Sequence, residues 1–351
     1  MTSWLSPEEI ERIAREESQK QGFDRWDLAD ESGRTVAHAA ARLGKLPPGF
    51  CLWTLRDKRG ITVAHVSAGR GELPAGFCLW DLTDQDGVPV AHLVAGRREL
   101  PAGFCLWELA DREGNTVAHV AAENGGLPKG FWLWSLRDGK GRTVAHRPAG
   151  NGHLLPENFK DWLEKDNGGN TVYHAAALSG TLPDGFTNWE LTNNEGDTVA
   201  HFAALKRTLP DHFELWNLRD ECGLTVAHEA AMAGTRLPVD FNGWLESDND
   251  GNTVYHFAAE SGTLPDDFDW WELSNDWGDT VAHAAALNGK LPDSFDRWEL
   301  SDKLGRTVAH IAAERGDLPE NFNLWELEDN SGLTAAHVAA VNRNLPEWFD
   351  K

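Results

Sequence analysis

The stretch DREGNTVAHVAAENGGLPKGFWLWSL, residues 111–136, decides the fold because it recurs along the whole chain. Its histidine belongs to a series of twelve: His38, His65, His92, His119, His146, His174, His201, His228, His256, His283, His310 and His337. Successive members are evenly spaced, except that the intervals His146→His174 and His228→His256 are each longer by a single residue. A tryptophan precedes each by twelve residues, from Trp26 to Trp325, and a phenylalanine precedes each tryptophan by three, from Phe23 to Phe322. A fixed period between 20 and 50 residues marks an array of stacked units sharing one core.

Local chemistry assigns each part of the unit. Asp111 to Gly114 has turn composition, with a glycine where a left-handed backbone is needed. Thr116 can cap a helix starting near Val117, with Val117, Ala118, Ala121 and Ala122 on its apolar side. Gly125 suits the end of that helix. Pro128 fits the first turn of a second helix, on which Leu127, Phe131 and Trp134 fall at i, i+4 and i+7. At the N-terminus, Ser6-Pro7-Glu8-Glu9 is a capping-box pattern, so residues 6–20 are expected to form a helix covering the first repeat. The chain runs out before the next tryptophan slot, where Trp348 is expected to cover the last repeat.

The motif D-x-x-G-x-T-V-A-H-x-A-A-x-x-G resembles the first two-thirds of an ankyrin repeat. The likeness extends over twelve units, residues 27–351, following a start segment and cap at 1–26. Valine and alanine replace proline and leucine in the tetrad, and L-P-x-x-F-x-x-W has no close ankyrin counterpart. The unit is also shortened, to about 27 residues where an ankyrin repeat has about 33 residues. The resemblance implies an all-α, ankyrin-like solenoid of about twelve two-helix units with short turns and an N-terminal capping helix. It also implies that each histidine hydrogen-bonds backbone and turn groups. Spacing agrees that the column is not a metal ladder. Two zinc-bound imidazole nitrogens sit within about 3.5 Å of each other, whereas equivalent residues on packed helices are about 10 Å apart.

Two units depart from the pattern together. Tyr173 and Tyr255 replace the tetrad alanine, each follows a W-L-E variant, and each follows the extra residue that lengthens the period. Their separation is three repeats and a single residue, as a segmental duplication would leave it.

No nucleophile–base pair, P-loop or H-E-x-x-H motif stands outside the repeat pattern, and no enzyme, cofactor or metal site is expected. Asp248 to Asn252 places oxygens as a calcium loop would, but the repeat's own turn accounts for them. Four cysteines are too few for a disulfide scaffold and are expected to be free thiols in a cytosol, the cell's own or a host's. Neither a signal-peptide pattern nor a membrane-length apolar run is present in the sequence, so no membrane partner is expected.

Charge is distributed unevenly. Residues 1–150 carry 19 Lys and Arg against 20 Asp and Glu, while residues 151–351 carry 13 against 36. The same sign change marks the slots through which ankyrin-like arrays meet partners, the turn tips and first helices. Early repeats place Lys58, Arg59 and Arg70 there; later ones place Glu195, Asp197, Asp250, Asp276 and Asp279. Trp277 occupies an otherwise polar turn slot, as a binding anchor would. The expected role is a monomeric protein-interaction scaffold for a partner with a basic surface, and nucleic acid is not an expected partner because the acidic half repels it. The alternative is an acidic nucleic-acid mimic that inhibits a nucleic-acid-processing protein.

Overall fold

The structure, a computed structural model, describes residues 4–97, 100–346 and 349. Among them are thirteen helices and no strand, only isolated β-bridges. Helix α1 (Pro7–Glu16) starts at the expected capping box, with Ser6 Oγ accepting from the Glu9 N–H and the Glu9 carboxylate accepting from the Ser6 N–H. Ile10, Ile13 and Ala14 form its buried side. One helix of five to eight residues follows in every repeat, from α2 (Val36–Leu43) to α13 (Ala335–Val341). The chain divides into two compact units, Met1–Ala176 and Ala177–Lys351. Within the first, α1 packs on α2 and α2 on α3 (Val63–Arg70); within the second, α10 (Val254–Ser261) packs on both α9 (Val226–Met232) and α11 (Val281–Leu287). Glu347 and Trp348 lie outside the described residues.

Among the described residues no second helix forms in any unit, which corrects the two-helix expectation. The Leu-Pro segment makes two successive tight turns instead: Phe131 N–H donates to Pro128 O at 3.1 Å and Leu136 N–H to Leu133 O at 3.4 Å. The end of this segment serves the start of the next helix. The first four N–H groups of a helix have no partner within it. In α5 (Val117–Glu123), Val117 N–H donates to Leu109 O and Ala118 N–H to Trp107 O, at 2.8 and 3.1 Å. His119 N–H donates to Thr116 Oγ1 at 3.4 Å, and Thr116 N–H to His119 Nδ1 at 3.3 Å. All four donors are satisfied, two of them by the segment predicted to be helical. Its last carbonyls face the next helix, and at Gly103 and Gly130, two residues after the proline, φ is +80° and +81°, which a right-handed helix does not accommodate.

The other ring nitrogen ties the repeat to its successor. His119 Nε2 lies 3.0 Å from Arg142 O, and His38, His65, His201 and His283 make the same contact 23 residues ahead. A backbone N–H can only donate, so Nδ1 is the acceptor and Nε2 carries the proton. In α4 (Val90–Ala95) the cap residue is Pro89, which offers neither N–H nor hydroxyl, and His92 Nε2 instead meets Leu109 O, 3.2 Å away. Pro148, in the helical stretch of the fifth repeat, leaves α6 (His146–Gly150) only five residues long.

Within each unit the aromatic columns form runs of ring contacts, mostly edge-to-face. In the first unit Phe and Trp alternate from Phe23 to Trp162, with centroids 4.8–5.7 Å apart. Each such pair contributes about 0.5–1.5 kcal/mol beyond its buried area. In the second unit the chain passes through Tyr255, stacked on Trp244 at 4.9 Å and meeting Phe268 at 4.7 Å. The tyrosine therefore occupies the position between one repeat's tryptophan and the next repeat's phenylalanine.

Turns of neighbouring repeats approach closely. Gly139 N–H donates to Glu113 O at 2.9 Å, and a Cβ on Gly114, whose φ is +78°, would stand 2.7 Å from Gly139 N. Gly103, with φ +80°, has open space at the same position. Gly114→Ala is therefore expected to cost about 1–3 kcal/mol more than Gly103→Ala in urea unfolding, since both strain the backbone but only one breaks the turn contact. Equal costs would contradict the close approach. His201→Ala, which strands the Thr198 N–H and Leu224 O, is expected to cost about 1–3 kcal/mol by the same measurement.

Candidate protein-binding surface

The repeated turn presents two side chains at its tip. Asp30 shows the local design: its Oδ1 accepts from the Ser32 and Arg34 N–H groups at 2.9 and 3.0 Å. Burial opposes its ionisation, yet the hydrogen bonds from Ser32 and Arg34 outweigh this and hold its carboxyl below the usual range. Asn275 does the same work without charge, accepting from the Trp277 and Asp279 N–H groups at 3.0 and 2.9 Å. With the backbone held this way, the Trp277 side chain is directed outward and is 66% exposed.

In the second unit the tips form a file of hydrogen bonds. Glu221 N–H donates to Glu195 O at 3.2 Å, Asn249 N–H to Cys222 O at 3.0 Å and Asp276 N–H to Asp250 O at 3.0 Å. Lys303 N–H then donates to Trp277 O at 3.3 Å. Asp250, Asp276 and Trp277 are thus brought onto adjoining tips and are exposed. Asp279 is half-buried, with an Arg306 nitrogen 3.9 Å away. Glu195 is exposed two tips before that of Asp250, and the half-buried Asp197 accepts from Asn193 Nδ2 at 3.2 Å. The sequence reading missed Lys303, whose ammonium donates to Asp276 O and places a cation beside Trp277. It fills the same turn slot as Asp276, one repeat later, so the pattern did contain it.

The basic slots belong to the first unit. The Lys58 ammonium sits 5.7 Å from the Trp4 ring centroid. Arg70 pairs with Glu72 at 2.8 Å and donates to Arg42 O. Arg59 is exposed. The first unit carries 21 Lys and Arg against 24 Asp and Glu; the second carries 11 against 32. The four cysteines are free and exposed.

The residue after each histidine lies on the inner helix and is usually apolar; Arg147 and Glu229 are charged exceptions. Arg147 pairs with Glu123 at 2.9 Å and Asp138 at 3.3 Å. Glu229 has a buried Oε2 with no hydrogen-bond partner. Burial, then the negative fields of Asp197 and Asp220, push its carboxyl up to about 7. Burial also depresses His119, His201 and His228, among others of the column, against the opposing pull of the accepting carbonyl, with His228 lowered to about 4.

These shifts act on opposite sides of neutrality. His228 contributes stability that is full above its unfolded pKa of about 6.5 and is lost as pH falls through about 4, and the other depressed histidines act in the same direction. Glu229, with its pKa raised, contributes stability present below its unfolded value of about 4.5 and lost as pH rises through 7. Glu229→Gln is expected to gain about 1 kcal/mol over the parent at pH 8 and nothing at pH 4.5, read from urea midpoints. A variant that is no more stable at pH 8 would contradict the strained carboxylate.

No family model matches the chain, and no curated protein sequence matches it. Among solved structures, a likeness is found to a chain of the Bd0816 predatory endopeptidase from Bdellovibrio bacteriovorus in complex with immunity protein Bd3460. It is 23% identical and covers 41% of this chain and 92% of that chain, with a TM-score of 0.31.

Proposed function

We propose that this chain is a non-enzymatic, ankyrin-like solenoid that binds a protein partner with a basic surface through the turn tips and first helices of its repeats. The observation that carries the proposal is Trp277, a large apolar side chain 66% exposed among the carboxylates of Asp250 and Asp276. Exposing a tryptophan is unfavourable in water, and such residues on protein surfaces recur as interface anchors. The hydrogen-bonded file of tips supplies a pre-organised backbone on which neighbouring side chains keep fixed spacing, which lowers the ordering cost of binding. The second unit's negative balance supports a basic partner and rapid, salt-sensitive encounter.

With a partner captured from the native host, Trp277→Ala is expected to speed dissociation about 30-fold, the scale of a hot-spot loss near 2 kcal/mol, without changing the unfolding midpoint. Reversing Asp250, Asp276 and Asp279 to lysine should slow association, most visibly at low ionic strength. If both variants bind with the parent's rate constants, these tips are not the interface.

A further inference from the structure

The longer repeat containing Tyr255 opens a groove away from the turn tips. One residue more than usual separates His228 from Pro238, and the leucine that ordinarily follows tryptophan by two is replaced by Glu246, leaving Leu245 exposed. The Tyr255 ring fills that gap, stacked on Trp244. On its other side stands Trp270, 53% exposed, with its ring centroid 6.1 Å from that of Tyr255 and its plane inclined at 63°. These two rings and Val239 line a groove of roughly 680 Å3 whose rim carries Asp266, Asp267 and Asp269.

The rim's charge is only partly matched. Asp269 is held by Arg297 at 2.8 Å, and Asp266 meets Arg236 at 3.8 Å. Asp267 has no cation paired with it among the described residues, and its charge acts on the neighbouring Tyr255 phenol, which burial and that charge both push up. An inclined pair of aromatic faces beside an unmatched carboxylate suits a flat cation. A guanidinium can lie against a ring face and at the same time present N–H groups to a carboxylate, whereas an ammonium offers a point charge that holds water more strongly.

We propose that this groove takes an arginine side chain of a protein partner, its guanidinium packed on Trp270 and Tyr255 and paired with Asp267. The site uses none of the turn-tip residues and stands whether or not they form an interface. The chain also carries its own comparison. In the block three repeats earlier, aligned on its tyrosine, Tyr173 is kept, but Gly185, Thr187 and Asn188 stand where the groove has Asp267, Asp269 and Trp270. Tyr173 is therefore expected not to respond to the same ligand.

The two tyrosines make the test direct. Full-length protein labelled with 3-fluorotyrosine gives two fluorine resonances, assigned with Tyr173→Phe. It is titrated with blocked tripeptides in which arginine, lysine, leucine or glutamate stands between two glycines. The arginine peptide should move the Tyr255 resonance saturably, lysine more weakly, and leucine and glutamate not at all, with Tyr173 unmoved throughout. Trp270→Ala and Asp267→Asn should each weaken arginine binding about fivefold, the scale of one partly exposed cation–π or charge contact. A parent-like urea unfolding midpoint checks that each variant is folded. No Tyr255 response to arginine, an equal response to leucine, or parent-like affinity in both variants would overturn the proposal.

Discussion

The threonine–histidine pair at the start of each helix is the constraint from which the rest of the repeat follows. A helix of seven or eight residues has four unpartnered N–H groups at its start, a large share of its backbone, and is far too short to stand alone in water. Here the pair satisfies two of those donors, and the carbonyls of the preceding tryptophan and leucine satisfy the other two, as at α5. The imidazole then reaches the next repeat through Nε2. One side chain thus couples the start of its own helix to the position of the following unit, with its protonation fixed by the donors it faces.

That coupling explains why so short a unit is stable without a second helix. Alanines give each helix a small, fully buried face, and alternating phenylalanine and tryptophan rings supply the bulk that the missing helix would have supplied. It also explains which departures are tolerated. Pro89 removes both cap groups, and the histidine redirects its ring to another carbonyl without leaving the core. Tyr255 appears where one extra residue would otherwise interrupt the aromatic chain. Each change stays within one repeat and its neighbour, as expected of an array whose units touch only the next.

Much of this was legible before the structure, for identifiable reasons. Thr116 as cap, Val117 as helix start and the Ser6 capping box follow from side chains acting on their own backbone, an effect confined to a few residues. The Leu-Pro segment was misjudged because proline in a first turn and an i, i+4, i+7 apolar pattern are also satisfied by two compact turns. Periodicity also does not record that the Trp107 and Leu109 carbonyls accept from the start of the next helix. The glycine two residues after proline, as at Gly130 with φ +81°, was the available warning. Trp277 could be singled out because its slot is polar elsewhere. Trp270 could not, since leucine fills the same slot in Leu106 and Leu133, and only the inserted tyrosine makes its exposure meaningful.

The most direct measurement of this account is the tautomeric state of the histidine column, read from long-range nitrogen–proton correlations of 15N-histidine protein. The hydrogen-bond geometry requires His228 to be neutral, with the proton on Nε2 and an unprotonated Nδ1, and its pKa, lowered to about 4, keeps it so from pH 7.5 down to about 5.5, where free imidazole is mostly charged. A His228 imidazolium at pH 5.5 in folded protein, or a His228 ring protonated on Nδ1, would contradict it, because neither form can accept the Thr225 N–H.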